Sequence, residues 1–299
     1  MTMKKTCSIM FQSTLTHSGK SLFTAAFCRI YSKRGYSVTP FKAQNLSLNS
    51  FVTPNGREIA VAQAFQAMAC NIEPTEMMNP ILLKPKGGGK VQVILFGKPY
   101  RDMSFIEYRQ SFAIKEGLPR VIEALEGLLD HYDIVIIEGA GVPSELNLMK
   151  TDISNMRVAE IANSPVLIIG DIDPGGMFAG LIGTFELLKK EWKKLVKGFI
   201  INKFRGDKKI LEPAIKYLEN RTKKKVLGVV PYLQDLIFPA EDSITLNITR
   251  PYPHKRSTEK TISDLENVRK VWLQNLDKFC NIVGKTICLD YIDKVIGVN

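Results

Sequence analysis

Short apolar runs alternate with amphipathic stretches along most of this chain. Runs at 7–11, 37–41, 91–96, 133–138, 165–171, 196–202 and 226–230 have the length of strands, and between them a 3.6-residue apolar spacing predicts helices over 19–33, 58–70, 114–131, 155–162, 177–190 and 210–221. The segments IVII (134–137), VLII (166–169) and FII (199–201) are apolar on both faces. Strands of that kind must be covered from two sides, so the pattern predicts an α/β fold, a mostly parallel β-sheet with helices on both faces. Ligands of such sheets bind beyond the carboxyl ends of the strands. The polar and glycine-rich stretches fall there: the loop at 13–21, Lys42-Ala-Gln-Asn, Glu138-Gly-Ala-Gly, Asp171-Ile-Asp and Asn202-Lys203.

The rhythm breaks after about Ser243. NITRPYPHKRSTEKTIS (247–263) reads as a linker, and Val268, Val271, Trp272, Leu276 and Phe279 space out as one amphipathic helix. The expected organisation is a domain over 1–246 and a linker with a helical tail over 247–299. The tail's apolar stripe suits packing back onto the domain or docking of a partner.

Composition narrows the class. With 299 residues, 45% of them hydrophobic, the chain can bury one large core and a small appendage. No stretch approaches the ~18 uninterrupted apolar residues of a membrane span, and the N-terminal segment does not read as a secretory signal. The five cysteines form no CxxC pair, which points to a reducing, cytoplasmic setting. The net charge of +11 suits a polyanionic ligand. Its lysine clusters lie mainly on helix faces or at helix ends, without a nucleic-acid-binding signature, so neither nucleic acid nor membrane is an expected partner. Self-association stays open.

The segment FQSTLTHSGKSLF (11–23) lies between a strand and a helix, where a phosphate-binding loop belongs. Lys20 can reach phosphate oxygens, the Ser21 hydroxyl can ligate Mg²⁺, and the backbone N–H groups of the helix start can cradle phosphates. Counting back from Gly19-Lys20-Ser21, a loop of the GxxxxxGK[ST] type places its first glycine where this chain has Ser13. Glu138, closing an apolar strand before Gly-Ala-Gly, is a candidate metal-side carboxylate; Glu58 is a second, or simply an acid at a helix N-terminus. Lys42 with Gln44, Asn45 and Asn49 forms a cluster suited to polarising a carboxylate or a transferring phosphoryl group. Asp152 is a candidate functional carboxylate or an N-cap, and Asn202 pairs with an adenine edge or closes a strand turn.

Taken together, STLTHSGKS, FKAQNLSLNS, GREIAVAQAFQA, MNPILLKP, EGAGVPSELNL, TDISNM, DIDPGGMFA, FIINKFRGD, VLGVVPYL and PAEDS (239–243) resemble, in order, the synthetase domain of cobyric acid synthase. The resemblance implies the P-loop NTPase fold of the dethiobiotin synthetase-like group. It also implies amidation of corrinoid side-chain carboxylates, from cobyrinic acid a,c-diamide towards cobyric acid, in cobalamin biosynthesis. In that reading MgATP lies on Ser13, Thr14, Thr16, His17, Ser18, Gly19, Lys20 and Ser21, with Asn202 at the base and Ser21, Glu58 and Glu138 around Mg²⁺. Lys20 and Lys42 stabilise transferring charge, and Gln44, Asn45, Asn49 and Asp152 face the corrinoid. Two departures are evident: Ser13 replaces the loop glycine, and no cysteine–histidine pair of a glutaminase domain follows Ser243. The expected nitrogen source is therefore ammonia or a separate glutaminase subunit. A sister carboxylate-activating enzyme, dethiobiotin synthetase or cobyrinic acid a,c-diamide synthase, and a degenerate nucleotide- or corrinoid-binding protein remain the alternatives.

Overall fold

The computed structural model describes residues 6–234, 236, 238–239 and 262–298, with 262–266 as backbone alone. The strands in chain order are β1 (Cys7–Ser13), β2 (Val38–Phe41), β3 (Gln44–Leu46), β4 (Ser50–Val52), β5 (Glu58–Ala60), β6 (Ile81–Gly87), β7 (Lys90–Leu95), β8 (Lys98–Ser104), β9 (Ile134–Glu138), β10 (Val166–Asp171), β11 (Val196–Phe204) and β12 (Lys225–Pro231). The helices are α1 (Lys20–Lys33), α2 (Val61–Ala69), the single turn α3 (Phe105–Glu107), α4 (Leu118–His131), α5 (Met156–Ile161), α6 (Met177–Leu187), α7 (Lys190–Leu195), α8 (Glu212–Thr222), α9 (Ile262–Thr286) and α10 (Leu289–Ile296).

Six strands build a wholly parallel sheet of order β12-β11-β10-β1-β9-β2. Residue parity sorts its two faces. In β9, Val135 and Ile137 join Met10, Ile168 and Phe199 on the face that carries α4 and α6, whereas Ile134 and Ile136 join Ile9, Phe11, Leu167 and Ile169 on the face that carries α1. The same parity carries Glu138 to the α1 side, and this decides its partners.

The run at 91–96 is β7, and it lies outside the parallel sheet. It belongs to a second sheet of order β3-β6-β7-β8, in which β6, β7 and β8 form an antiparallel meander. Gly87, Gly88 and Gly89 all take positive φ at the β6–β7 turn, which side-chain-bearing residues rarely adopt. The helix expected over 58–70 starts only at Val61; Glu58–Ala60 is β5, paired antiparallel with β4. The reason is the turn Thr53-Pro54-Asn55-Gly56-Arg57, where Gly56 has φ +75° and the Thr53 N–H donates to the Arg57 carbonyl at 2.7 Å. The helix expected from 114 is entered through a π-helical stretch, Tyr108–Gly117, before α4 begins.

The tail forms two helices. Leu276, Phe279, Val283 and Ile287 enter the core on the α1 side, and Phe279 meets Phe23 edge-on with ring centroids 5.3 Å apart. Asp277 pairs with Arg29 (2.9 Å) and Lys33 (2.7 Å), and α10 adds Ile292 and Ile296 to the same core. Val271, counted on the apolar stripe, is exposed. Residues 247–261 of the expected linker and 240–243 of the PAEDS segment lie outside the described residues.

Candidate active site

The carboxyl ends of β1, β2 and β9 converge on the start of α1. After Ser13 the chain turns through Thr14, Thr16, His17 and Ser18 to Gly19, whose φ of +100° favours glycine; a Cβ there would lie 2.7 Å from Asn202 Nδ2. No side chain caps α1, so its first turn directs backbone N–H groups and the positive end of the helix dipole at the loop. Lys20 Nζ donates to Ser13 Oγ at 2.7 Å, and Ser13 Oγ donates to the Leu15 carbonyl at 2.5 Å. The serine in place of glycine thus engages the loop lysine.

Farther strands stitch the loop down. Asn202 Nδ2 donates to the Ser18 carbonyl at 2.9 Å, which gives the asparagine amide a loop contact. Lys203 Nζ bridges the His17 carbonyl (3.0 Å) and Asp171 Oδ2 (2.6 Å).

Glu138 is the centre of the site and is fully buried. Its Oε1 accepts from Ser21 Oγ at 2.7 Å and from Lys42 Nζ at 2.6 Å, while Oε2 accepts from Gln66 Nε2 at 2.5 Å. Behind it runs a file of buried amides: Asn45 Nδ2 donates to Gln63 Oε1 (3.0 Å), and Gln63 Nε2 to Gln66 Oε1 (3.4 Å). Buried polar groups are tolerated when they are hydrogen-bonded in this manner. Gln44 Oε1 accepts from the Tyr108 hydroxyl at 2.5 Å.

Of these groups Ser21, Lys42, Gln44 and Asn45 edge a cavity of about 380 Å³, and Glu138 lies behind them, off its wall. Lys20, Ser21, Lys42, Gln44, Asn45 and Asp152 supply its polar part, and Leu46, Leu83, Phe105, Val142, Leu148 and Met149 an apolar wall. Asp152 Oδ1 accepts the N–H groups of Ser154 (3.0 Å) and Asn155 (2.9 Å), so it both shapes the turn before α5 and faces the cavity. Asn155 in turn holds the Glu138-Gly-Ala-Gly loop, exchanging two 2.9 Å bonds with the backbone of Ala140.

Two expected residues lie elsewhere. Glu58 sits on the β4–β5 hairpin, ion-paired with Lys84, and is not on the cavity wall with Ser21. Partial burial pushes its carboxyl up, but the bonds from Lys84 and Ser50 outweigh this and hold it below the ordinary glutamate range. Asn49 is also off the wall; its N–H donates to Ser47 Oγ and its carbonyl accepts from Val61, where α2 starts. Conversely, the sequence reading missed Gln63, Gln66, Asn155 and Arg109. The two glutamines carried a signal, polar residues at i and i+3 within the apolar helix VAQAFQA; Arg109 carried none.

The residues fit a magnesium-bound nucleotide: an uncapped helix start, a cradle that a Cβ at Gly19 would fill, a lysine on the loop, and a serine hydroxyl beside a buried carboxylate. Residues 9–246 match the CobQ/CobB/MinD/ParA nucleotide binding domain. The chain is 50% identical over 244 residues to the cobyric acid synthase of Geobacillus sp. (strain WCH70), covering 82% of this chain and 48% of that protein. It is 48% identical over 288 residues to the cobyric acid synthase of Trichormus variabilis, covering 95% and 57%. With the adenosylcobalamin biosynthesis bifunctional protein CobDQ of Leptospira interrogans the identity is 52% over 241 residues, covering 81% and 28%. The chain therefore spans about half the length of the synthases it matches.

Proposed function

The chain belongs to the CobQ/CobB/MinD/ParA nucleotide-binding family, and from that premise we propose that it catalyses ATP-dependent amidation of corrinoid side-chain carboxylates, taking cobyrinic acid a,c-diamide towards cobyric acid. The observation that carries this reading is the buried Glu138, whose one oxygen is shared by Ser21 and Lys42, two residues that line a half-apolar cavity. Bound MgATP supplies the phosphoryl group. Ser21 and Glu138 hold the metal side, the N–H groups of the loop and first turn of α1 hold the phosphates, and Asn202 fixes the loop from below.

In this reading the second reactant enters the same cavity. A corrinoid carboxylate oxygen attacks the γ-phosphorus and ADP departs; ammonia then attacks the acyl carbon, phosphate leaves, and a proton is released as the amide forms. Lys20 and Lys42 offset the negative charge spread over the transferring group. Asp152, held rigid by the backbone N–H groups of its own turn, orients the incoming ammonia. The apolar wall suits the flank of a macrocycle.

The test supplies MgATP, ammonium and cobyrinic acid a,c-diamide to the full chain, then measures phosphate release and the mass of the corrinoid. Amidation coupled to phosphate release is the expected result. Phosphate release that ignores the corrinoid, or none with any corrinoid acid, rejects the reading.

A further inference from the structure

Arg109 lines the same cavity and has no role in the chemistry above. It lies one residue into the π-helical stretch Tyr108–Gly117, and such stretches recur at functional sites because they re-aim side chains that a regular helix would turn away. The stretch is pinned at both ends. Tyr108 donates to Gln44 on β3, and Glu116 accepts from Tyr100 on β8. The guanidinium lies over the rings of Phe105 and Tyr108, with its carbon 5.2 and 6.0 Å from their centroids. Its Nε is buried without a hydrogen-bond partner, and among the described residues no acid pairs with it. Both nearby glutamates, Glu107 and Glu116, are instead directed to Arg101. Of the acids on the cavity wall, Asp152 spends its oxygens on backbone N–H groups, and Glu145 is exposed.

A permanently charged, planar donor set is therefore held on aromatic faces with no paired acid among the described residues. We propose that Arg109 clamps a second carboxylate of the substrate, one that is not being activated. Pairing that carboxylate would fix which of the ring's side chains reaches Lys20 and Lys42, making Arg109 a determinant of substrate register. This assignment rests on the corrinoid reading above.

The experiment measures equilibrium binding of cobyrinic acid a,c-diamide to the full chain through the corrin absorption band, with wild type, Arg109→Gln and Arg109→Lys. A fully esterified corrinoid serves as the uncharged probe, and MgATP affinity is measured on each variant. Arg109→Gln is expected to weaken the acid form by roughly tenfold to a hundredfold, the range of a lost charge-assisted bond. Arg109→Lys falls between, because an ammonium cannot form the bidentate fork. The ester binds all three alike, and MgATP affinity is unchanged. Equal binding of the acid by wild type and Arg109→Gln overturns the clamp and leaves the proposed function standing. So does equal weakening of acid and ester, or loss of MgATP binding, since packing would then explain the residue. A wild-type chain that binds MgATP and no corrinoid overturns the function and the clamp together.

Discussion

The Lys42–Glu138 pair is withdrawn from water, so its two partners cannot be removed independently without penalty. Glu138→Gln removes the carboxylate charge that the buried Lys42 ammonium faces at 2.6 Å and should cost about 3 kcal/mol in urea unfolding of the nucleotide-free protein. Adding Lys42→Met should bring stability back to within about 1 kcal/mol of the parent, although both variants lose turnover. A double variant no more stable than Glu138→Gln would show that the pair is not energetically coupled. Lys20→Ala belongs to a different class. Its ammonium acts on phosphate charge, so corrinoid-dependent phosphate release should fall by about 100-fold or more while the unfolding midpoint holds. Near-normal release in that variant removes Lys20 from the site. Lys20 and Ser21 were legible through the Gly-Lys-Ser motif at a helix start, and Lys42 and Glu138 because each is a charged residue at the end of an apolar strand. Gln66 and Asn155 were not, since each acquires its role from a contact across the fold, with Glu138 and with the Ala140 backbone.

At the scale of elements, the parallel core was readable because both-sided apolar strands leave few alternatives. The second sheet and the β4–β5 hairpin were not. β3, β4 and β5 are only three residues long, β8 is almost wholly exposed, and the apolar spacing of α2 continues backwards into Glu58-Ile59-Ala60, which masks the turn signal Pro54-Asn55-Gly56. The sequence therefore reads Glu58 as a metal-side carboxylate or a helix N-terminal acid, whereas it lies on a strand and its charge is met by Lys84. The tail helix offers a pH test. Partial burial pushes the Asp277 carboxyl up, but hydrogen bonds and charge from Arg29 and Lys33 outweigh it and leave the folded value below the ordinary one. The contribution is thus fully present above the unfolded value near ~3.9 and is lost as pH falls through the folded value. Asp277→Asn should be less stable than wild type at pH 7 by under about 1 kcal/mol, because the pair is partly exposed. Between pH 5 and 3, about the range in which such a carboxylate titrates, wild type should lose more stability than the variant. Parallel losses in urea titrations at both pH values would exclude this latch.

For the whole molecule, the open quantity is the amide donor. Among the described residues no cysteine is joined to a histidine; Cys280 is buried, with its thiol directed to the Ala26 carbonyl, and burial pushes that thiol up to about 12, the reverse of a nucleophile's requirement. We therefore expect the purified chain to use ammonium and to ignore glutamine, with a glutaminase subunit restoring glutamine use. Amidation from ammonium-free glutamine by the chain alone would reveal a nitrogen-releasing site outside this account. The packing of α9 adds a consequence for how the molecule would signal. Phe279 rests against Phe23, whose ring lies beneath Gly19, so one helix serves both the phosphate loop and the tail. Any coupling between a ligand at the first turn of α1 and the seating of the tail on that helix must therefore be reciprocal, the same factor in both directions.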